Sequence, residues 1–127
     1  MTVKAAIEAA DRLLQNEISL EDKIRWLNAL DHQIAEELLY THEDSGYDPK
    51  DSPWTPHTEN GYAAEDLLVS DYYADLYVDY LLMQYSLYQR ETEAYNAEAA
   101  AFQAKYAAYA MWFNRTHMPK AGPNLMF

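Results

Sequence analysis

From Tyr77 to Phe113 one set of side chains recurs at steps of three or four: Tyr77, Leu81, Tyr85, Tyr88, Thr92, Tyr95, Ala99, Phe102, Tyr106, Tyr109 and Phe113. That period places all of them on one side of an α-helix. Unbroken from Asp71 to about Asn114, the helix would be about 65 Å long at 1.5 Å per residue. This is too long for a compact domain of 127 residues. Apolar density falls over "QRETEAYNAE" (89–98), so the chain is expected to turn there and fold back as a helical hairpin. The second arm, "AEAAAFQAKYAAYAMWF", sets alanines between its aromatics. The small residues are expected to allow close helix approach while Phe102, Tyr106, Tyr109 and Phe113 fill the gaps.

Two further helices are expected before the hairpin. Over residues 3–16, Val3, Ile7, Ala10 and Leu14 keep the helical period, with Leu13 beside them. "SLEDKIRWLNALDHQIAEELLYTH" reads as a second helix. Ser19 and Asp22 stand at capping-box spacing, where hydroxyl and carboxylate satisfy the free N–H groups of a helix start. Leu20, Ile24, Leu27, Ile34 and Leu38 form its buried stripe, widened by Leu30 and Trp26.

Periodicity stops between Thr41 and Asp66. Pro49, Pro53 and Pro56, with Gly46 and Gly61, stand there among acids and small polar residues. Proline fixes φ and lacks the N–H a helix needs. A long irregular loop in a small domain points to a functional or partner-contacting segment. Trp54 and Tyr62 are expected to dock somewhere, on their own domain or on a neighbour. After Met118, Pro119, Gly122 and Pro123 keep the chain extended, yet it ends in the apolar Leu125, Met126 and Phe127. By itself that tip is expected to fold back on the bundle. The fold class is therefore all-α: one domain over 1–127, a small bundle of about four helices. Its parts are N-terminal helices (1–41), a long loop (42–66), a helical hairpin (67–117) and a C-terminal arm (118–127).

Charge narrows the function. The net charge is −12, with seven acids against one base over residues 42–70. Binding to phosphates wants clustered Lys and Arg, and no such cluster occurs. An acidic surface confers solubility, repels DNA from a channel wall or imitates DNA. The absence of cysteine excludes disulfides and thiolate metal sites. No apolar run is long enough for a membrane span, and "MTVKAAIEAADRLL" does not read as a signal peptide.

Catalytic and metal chemistry finds little footing. His32 and Glu36 share a helix face but make only two ligands, and Asp31 and His32 point about 100° apart. His42 suits the C-terminal end of its helix. Asp71, Asp75 and Asp79 form an acidic ridge with no Glu-x-x-His partner, a pattern of a solvated face or of one meeting a basic neighbour. Asn114-Arg115-Thr116 matches a glycosylation pattern without the secretory context that would give it meaning. No phosphate-binding glycine loop or nucleophile elbow is present, and no enzyme activity or cofactor is expected.

Residues 70–117 hold nine of the twelve tyrosines. Base stacking on them would need a cationic groove. Nine exceed what a small bundle is expected to bury with every hydroxyl satisfied. Tyr72, Tyr73 and Tyr80 lie off the main stripe and, with Trp54 and Tyr62, are the candidates for a subunit interface.

Several separated stretches, "EDKIRWLNALDHQIAEELLYTHE", "DLLVSDYYADLYVDYLLMQY", "YN" at 95–96 and "FNRTHMPK" at 113–120, resemble small head–tail connector proteins of tailed phages and prophages of Gram-positive hosts. The resemblance spans nearly the whole chain. It implies a neck protein of the virion, assembled in the host cytoplasm. Its subunits would form a ring, commonly a dodecamer, between the portal protein and a stopper or tail-completion protein. The ring would extend the channel through which DNA passes without specific binding. The portal-binding arm would be Met118, Pro119, Lys120, Leu125, Met126 and Phe127, reversing the folded-back expectation for the tip. The loop 42–66 would be a second contact segment. A soluble acidic DNA mimic that inhibits a DNA-handling enzyme is the alternative, and an enzyme ranks third.

Overall fold

The computed structural model describes residues 1–120. These form four α-helices and no strand: α1 (Val3–Leu13), α2 (Leu20–Ile34), α3 (Asp75–Tyr88) and α4 (Thr92–Thr116). α2 runs on through a single π-helical turn, Ala35–Leu39, closed by Tyr40 N–H donating to the Ala35 carbonyl at 2.8 Å. A 3-10 turn, Asp71–Tyr73, leads into α3. The all-helical bundle expected from the periodicity is what the chain forms.

α3 is the hub. It buries Leu76, Tyr77, Val78, Leu81, Leu82, Met83, Tyr85 and Ser86, which is most of its circumference. A helix apolar all round must be enclosed by its neighbours, and α1, α2 and α4 all pack against it. The hairpin turn falls at Gln89–Glu91, inside the stretch where apolar density drops. It closes through Arg90 N–H to Leu87 O (3.1 Å) and Glu91 N–H to Ser86 O (2.9 Å). Arg90 takes φ 60° to make it, a left-handed conformation that penalises any residue with a Cβ.

Ser19 caps α2 as its spacing predicts, accepting from Asp22 N–H at 3.2 Å. The Asp22 carboxylate instead accepts from Arg25 at 2.7 Å, so the box is half formed. α1 stops three residues short of the expected 16. Asn16 donates to the Leu14 carbonyl (2.9 Å) and accepts from Ile18 N–H (3.1 Å), holding a turn that buries Ile18. Short polar side chains that bond nearby backbone compete with helix in this way.

The loop expected over 42–66 is irregular and extends over 40–70, but it is fastened along its length. The Tyr62 and Glu65 carbonyls accept from Lys4 and Val3 N–H, and the Met1 carbonyl accepts from Leu67 N–H. The loop thereby satisfies the free N–H groups that every helix start presents. Asp48 accepts from the N–H groups of Lys50 and Asp51 and from the Lys120 ammonium, at 2.9, 3.0 and 3.0 Å. Those bonds hold its carboxyl down at about 2.

The alanines of α4 divide. Ala99 and Ala110 are half-buried against the core, as close packing of the hairpin requires, whereas Ala97, Ala100, Ala104, Ala107 and Ala108 are exposed; Phe102, Tyr109 and Phe113 are buried. Aromatic rings bury more area than methyl groups and win the inner face. Replacing Arg90 with glycine relieves the left-handed strain, and urea unfolding is expected to show a gain of about 0.5–1 kcal/mol.

Candidate functional site

α2 carries an acid on its buried face. Asp31 is 0 % exposed, and a carboxylate out of water must find donors. It accepts from the Tyr77 hydroxyl of α3 (2.5 Å), from His57 Nε2 of the loop (3.0 Å) and from Leu68 N–H (3.3 Å). The Tyr77 oxygen in turn accepts from Val69 N–H at 2.9 Å. Asn28, one helical turn before Asp31, brackets the His57 backbone, donating to its carbonyl (3.0 Å) and accepting from its N–H (2.8 Å). One carboxylate and one amide of α2 thus fix the path of the loop and the position of α3.

His57 has a second carboxylate, Glu65, 3.4 Å from Nδ1. Gly61 makes room for it, since a Cβ there would stand 2.0 Å from Glu65 Oε1. Burial disfavours the imidazolium, but the hydrogen bonds and charges of Asp31 and Glu65 outweigh it and raise the pKa above 6.5. With a carboxylate on each nitrogen the ring has no free lone pair to offer a substrate. The ring ties the loop to α2 through Asp31. Burial first, then Asp31, pushes the Tyr77 hydroxyl well above 10, so it stays a donor. His57 also borders a cleft of about 330 Å³, which Tyr47, Trp54, Glu65 and Asp66 help to line.

The residues singled out in the sequence separate clearly. Tyr72 is 86 % exposed, and Tyr73 beside it is half-buried against Tyr109 and Trp112 at ring distances of 5.6 and 5.4 Å. Tyr80 packs inside the hairpin on Phe102, 5.2 Å away. Trp54 docks on its own domain, edge-on to His32 (5.8 Å) and His57 (6.1 Å), and Tyr62 is half-buried against the core. Only Tyr72 of these five is open to a neighbour over most of its surface. Met118–Lys120 run extended along residues 41–43, with Glu43 N–H donating to Met118 O (2.7 Å) and Lys120 N–H to Thr41 O (2.9 Å). Met118 is 70 % exposed; Leu125, Met126 and Phe127 lie outside the described residues.

His32 and Glu36 face each other at 3.7 Å on an exposed surface. Among the described residues no three His, Cys, Asp or Glu side chains are grouped to hold a metal, and no helix is long and apolar enough to cross a membrane. His42 Nδ1 donates to the Leu38 carbonyl at 2.8 Å, at the helix end where its position placed it.

His57 and the role of Asp31 were not evident from the sequence, although a signal existed. The stripe Ile24, Leu27, Ile34, Leu38 lacks one step, and Asp31 occupies it. An acid in register with a buried stripe calls for a partner from elsewhere in the chain.

Removing the Asp31 carboxylate leaves the Tyr77 hydroxyl, His57 Nε2 and Leu68 N–H without that acceptor. Asp31→Ala is expected to cost about 3–5 kcal/mol, and Tyr77→Phe about 1–3 kcal/mol, both read from urea unfolding. Because the pKa of His57 is raised on folding, its contribution is complete below about 6.5 and fades as pH rises through the higher folded value. Chemical denaturation from about pH 6 to about pH 8.5 should show this loss, and His57→Gln should remove that part of the profile.

Comparison with protein families, curated proteins and solved structures finds no match to this chain.

Proposed function

We propose that this chain is a ring-forming subunit of a tailed-phage neck, a head–tail connector that joins the portal to a stopper or tail and extends the DNA channel. The observation that carries this reading is the one-sidedness of α4. This helix has 25 residues, of which only Phe102, Tyr109 and Phe113 are buried. Its other side presents Ala94, Ala97, Ala101, Ala104, Ala108 and Met111 at alternating steps of three and four, and Met111 is 61 % exposed. That spacing is the one a packed helix partner requires, and small side chains permit close approach. A closed ring needs one patch to meet a different patch on the next copy. Exposed Tyr72, on the 3-10 turn before α3, offers an aromatic group for such a contact.

The arm supports the same reading. Main-chain bonds pin Met118–Lys120, the described part of the arm, beside residues 41–43, and Met118 is 70 % exposed there. Net negative charge suits a channel wall along which DNA slides rather than sticks. DNA mimicry draws less support. On the ridge Asp71, Asp75, Asp79, Asp71 is paired with the Met1 amine at 2.5 Å and Asp79 with Lys105 at 2.7 Å, so the ridge is not a free row of charges.

Mass spectrometry of purified phage particles is expected to find this chain in near-equal copy number with the portal. Ala104→Arg, with helical content unchanged by circular dichroism, is expected to be missing from particles. Absence of the natural chain from particles would remove the connector reading and put the acidic inhibitor first. Normal incorporation of Ala104→Arg would move the subunit contact off α4.

A further inference from the structure

The cleft beside His57 combines two kinds of lining, aromatic rings and carboxylates. Trp54 and Tyr47 supply aromatic rings, and Glu65 and Asp66 supply carboxylates. Its one basic lining residue, His57, is held by carboxylates at 3.0 Å (Asp31) and 3.4 Å (Glu65). Even with His57 protonated, Asp31, Glu65 and Asp66 leave the region negative, so an anion is excluded. An apolar ligand would strip water from the Glu65 and Asp66 carboxylates and return nothing. Aromatic faces do not ligate metals, and no three His, Cys, Asp or Glu residues are grouped to hold one among the described residues.

A flat organic cation meets both linings. A guanidinium stacks on aromatic faces, gives its N–H edge to carboxylates and is more weakly hydrated than an ammonium. We propose that this cleft is an arginine pocket that receives one guanidinium side chain of a partner protein. The surrounding charge favours a partner segment over an isolated small molecule: residues 42–70 carry seven acids and one lysine, and such a field attracts a basic stretch of chain. Trp54 is held in place by the rings of His32 and His57, and its backbone N–H donates to the Tyr40 hydroxyl at 2.9 Å. Trp54 is therefore held at the cleft before the ligand arrives. This goes beyond the connector reading and stands or falls separately from ring assembly.

The test is a titration of the full chain, followed by nitrogen-15 NMR, with N-acetyl-arginine-N′-methylamide, its citrulline and lysine counterparts, and free arginine. The expected result is a saturable shift of the Trp54 indole and His57 resonances with capped arginine. Citrulline, isosteric but uncharged, is expected to bind at least about tenfold more weakly, and lysine to fall between them. Asp66→Asn spares the Glu65–His57 contact and is expected to weaken capped arginine by about tenfold, with the rest of the spectrum unchanged. No saturable shift, equal binding of citrulline, or an unaltered affinity in Asp66→Asn would overturn the pocket. Free arginine binding as tightly as the capped form would overturn the partner protein as its source.

Discussion

A carboxylate with no access to water cannot be left without donors, and Asp31 imposes that condition on three parts of the chain. Tyr77 must come from α3, His57 from the middle of the loop and Leu68 N–H from its end. Each donor lies at least 26 residues from Asp31 in sequence. Apolar packing alone tolerates small slips of one helix past another, whereas three directional hydrogen bonds to two oxygens do not. The network therefore selects one arrangement of α2, the loop and α3 among several that bury similar area.

The same logic repeats at smaller scale and accounts for the composition. The Tyr85 hydroxyl donates to Asp11 at 3.0 Å, joining α3 to α1, and the Tyr106 hydroxyl donates to Glu37 at 2.7 Å, joining α4 to the π turn after α2. Lys23, itself buried, reaches Asp11 at 3.1 Å and lies over the Tyr85 ring. A tyrosine buries a large ring but needs an acceptor for its hydroxyl. Acids on neighbouring helices provide one. In each pair, burial and the adjacent carboxylate raise the phenol pKa, so the hydroxyl remains protonated and the bond intact. Part of the acidity that reads in sequence as a surface property is thus spent inside the bundle. Tyr109 has no such acceptor among the described residues; its pKa is pushed up to about 12 by burial first and by Asp31.

Local rules explain what was legible. Helical period and its interruption located the hairpin, because apolar spacing and loss of apolar density act within a few residues. Prolines located the loop for the same reason. The π turn at Ala35–Leu39, the early end of α1 and the outward alanines depend on what the rest of the molecule offers. An extra residue in the helix carries both Leu38 and Leu39 into the core, a choice no local preference makes. The docking of Trp54 and Tyr62 on their own domain follows from bonds between the loop and residues far away in sequence. Asp31 stands between these cases: its register on the buried stripe was readable, but its partners were not.

These constraints also separate the residues that hold the bundle from those left for a neighbour. The hydrogen-bonded network occupies α2, α3 and the inner side of the loop, and α3 is covered on nearly every side. α4 contributes rings to one side and an ion pair from Lys105 to Asp79, while Ala94, Ala97, Ala104 and Ala108 on its other side are exposed. A helix of this length could have kept a charged outer face for solubility, as α1 does with Lys4, Glu8 and Arg12. Exposed alanines support the helix through their high intrinsic propensity. On the connector reading that surface has a use in the next copy of the ring, and its freedom from the internal network is why a substitution there separates assembly from folding.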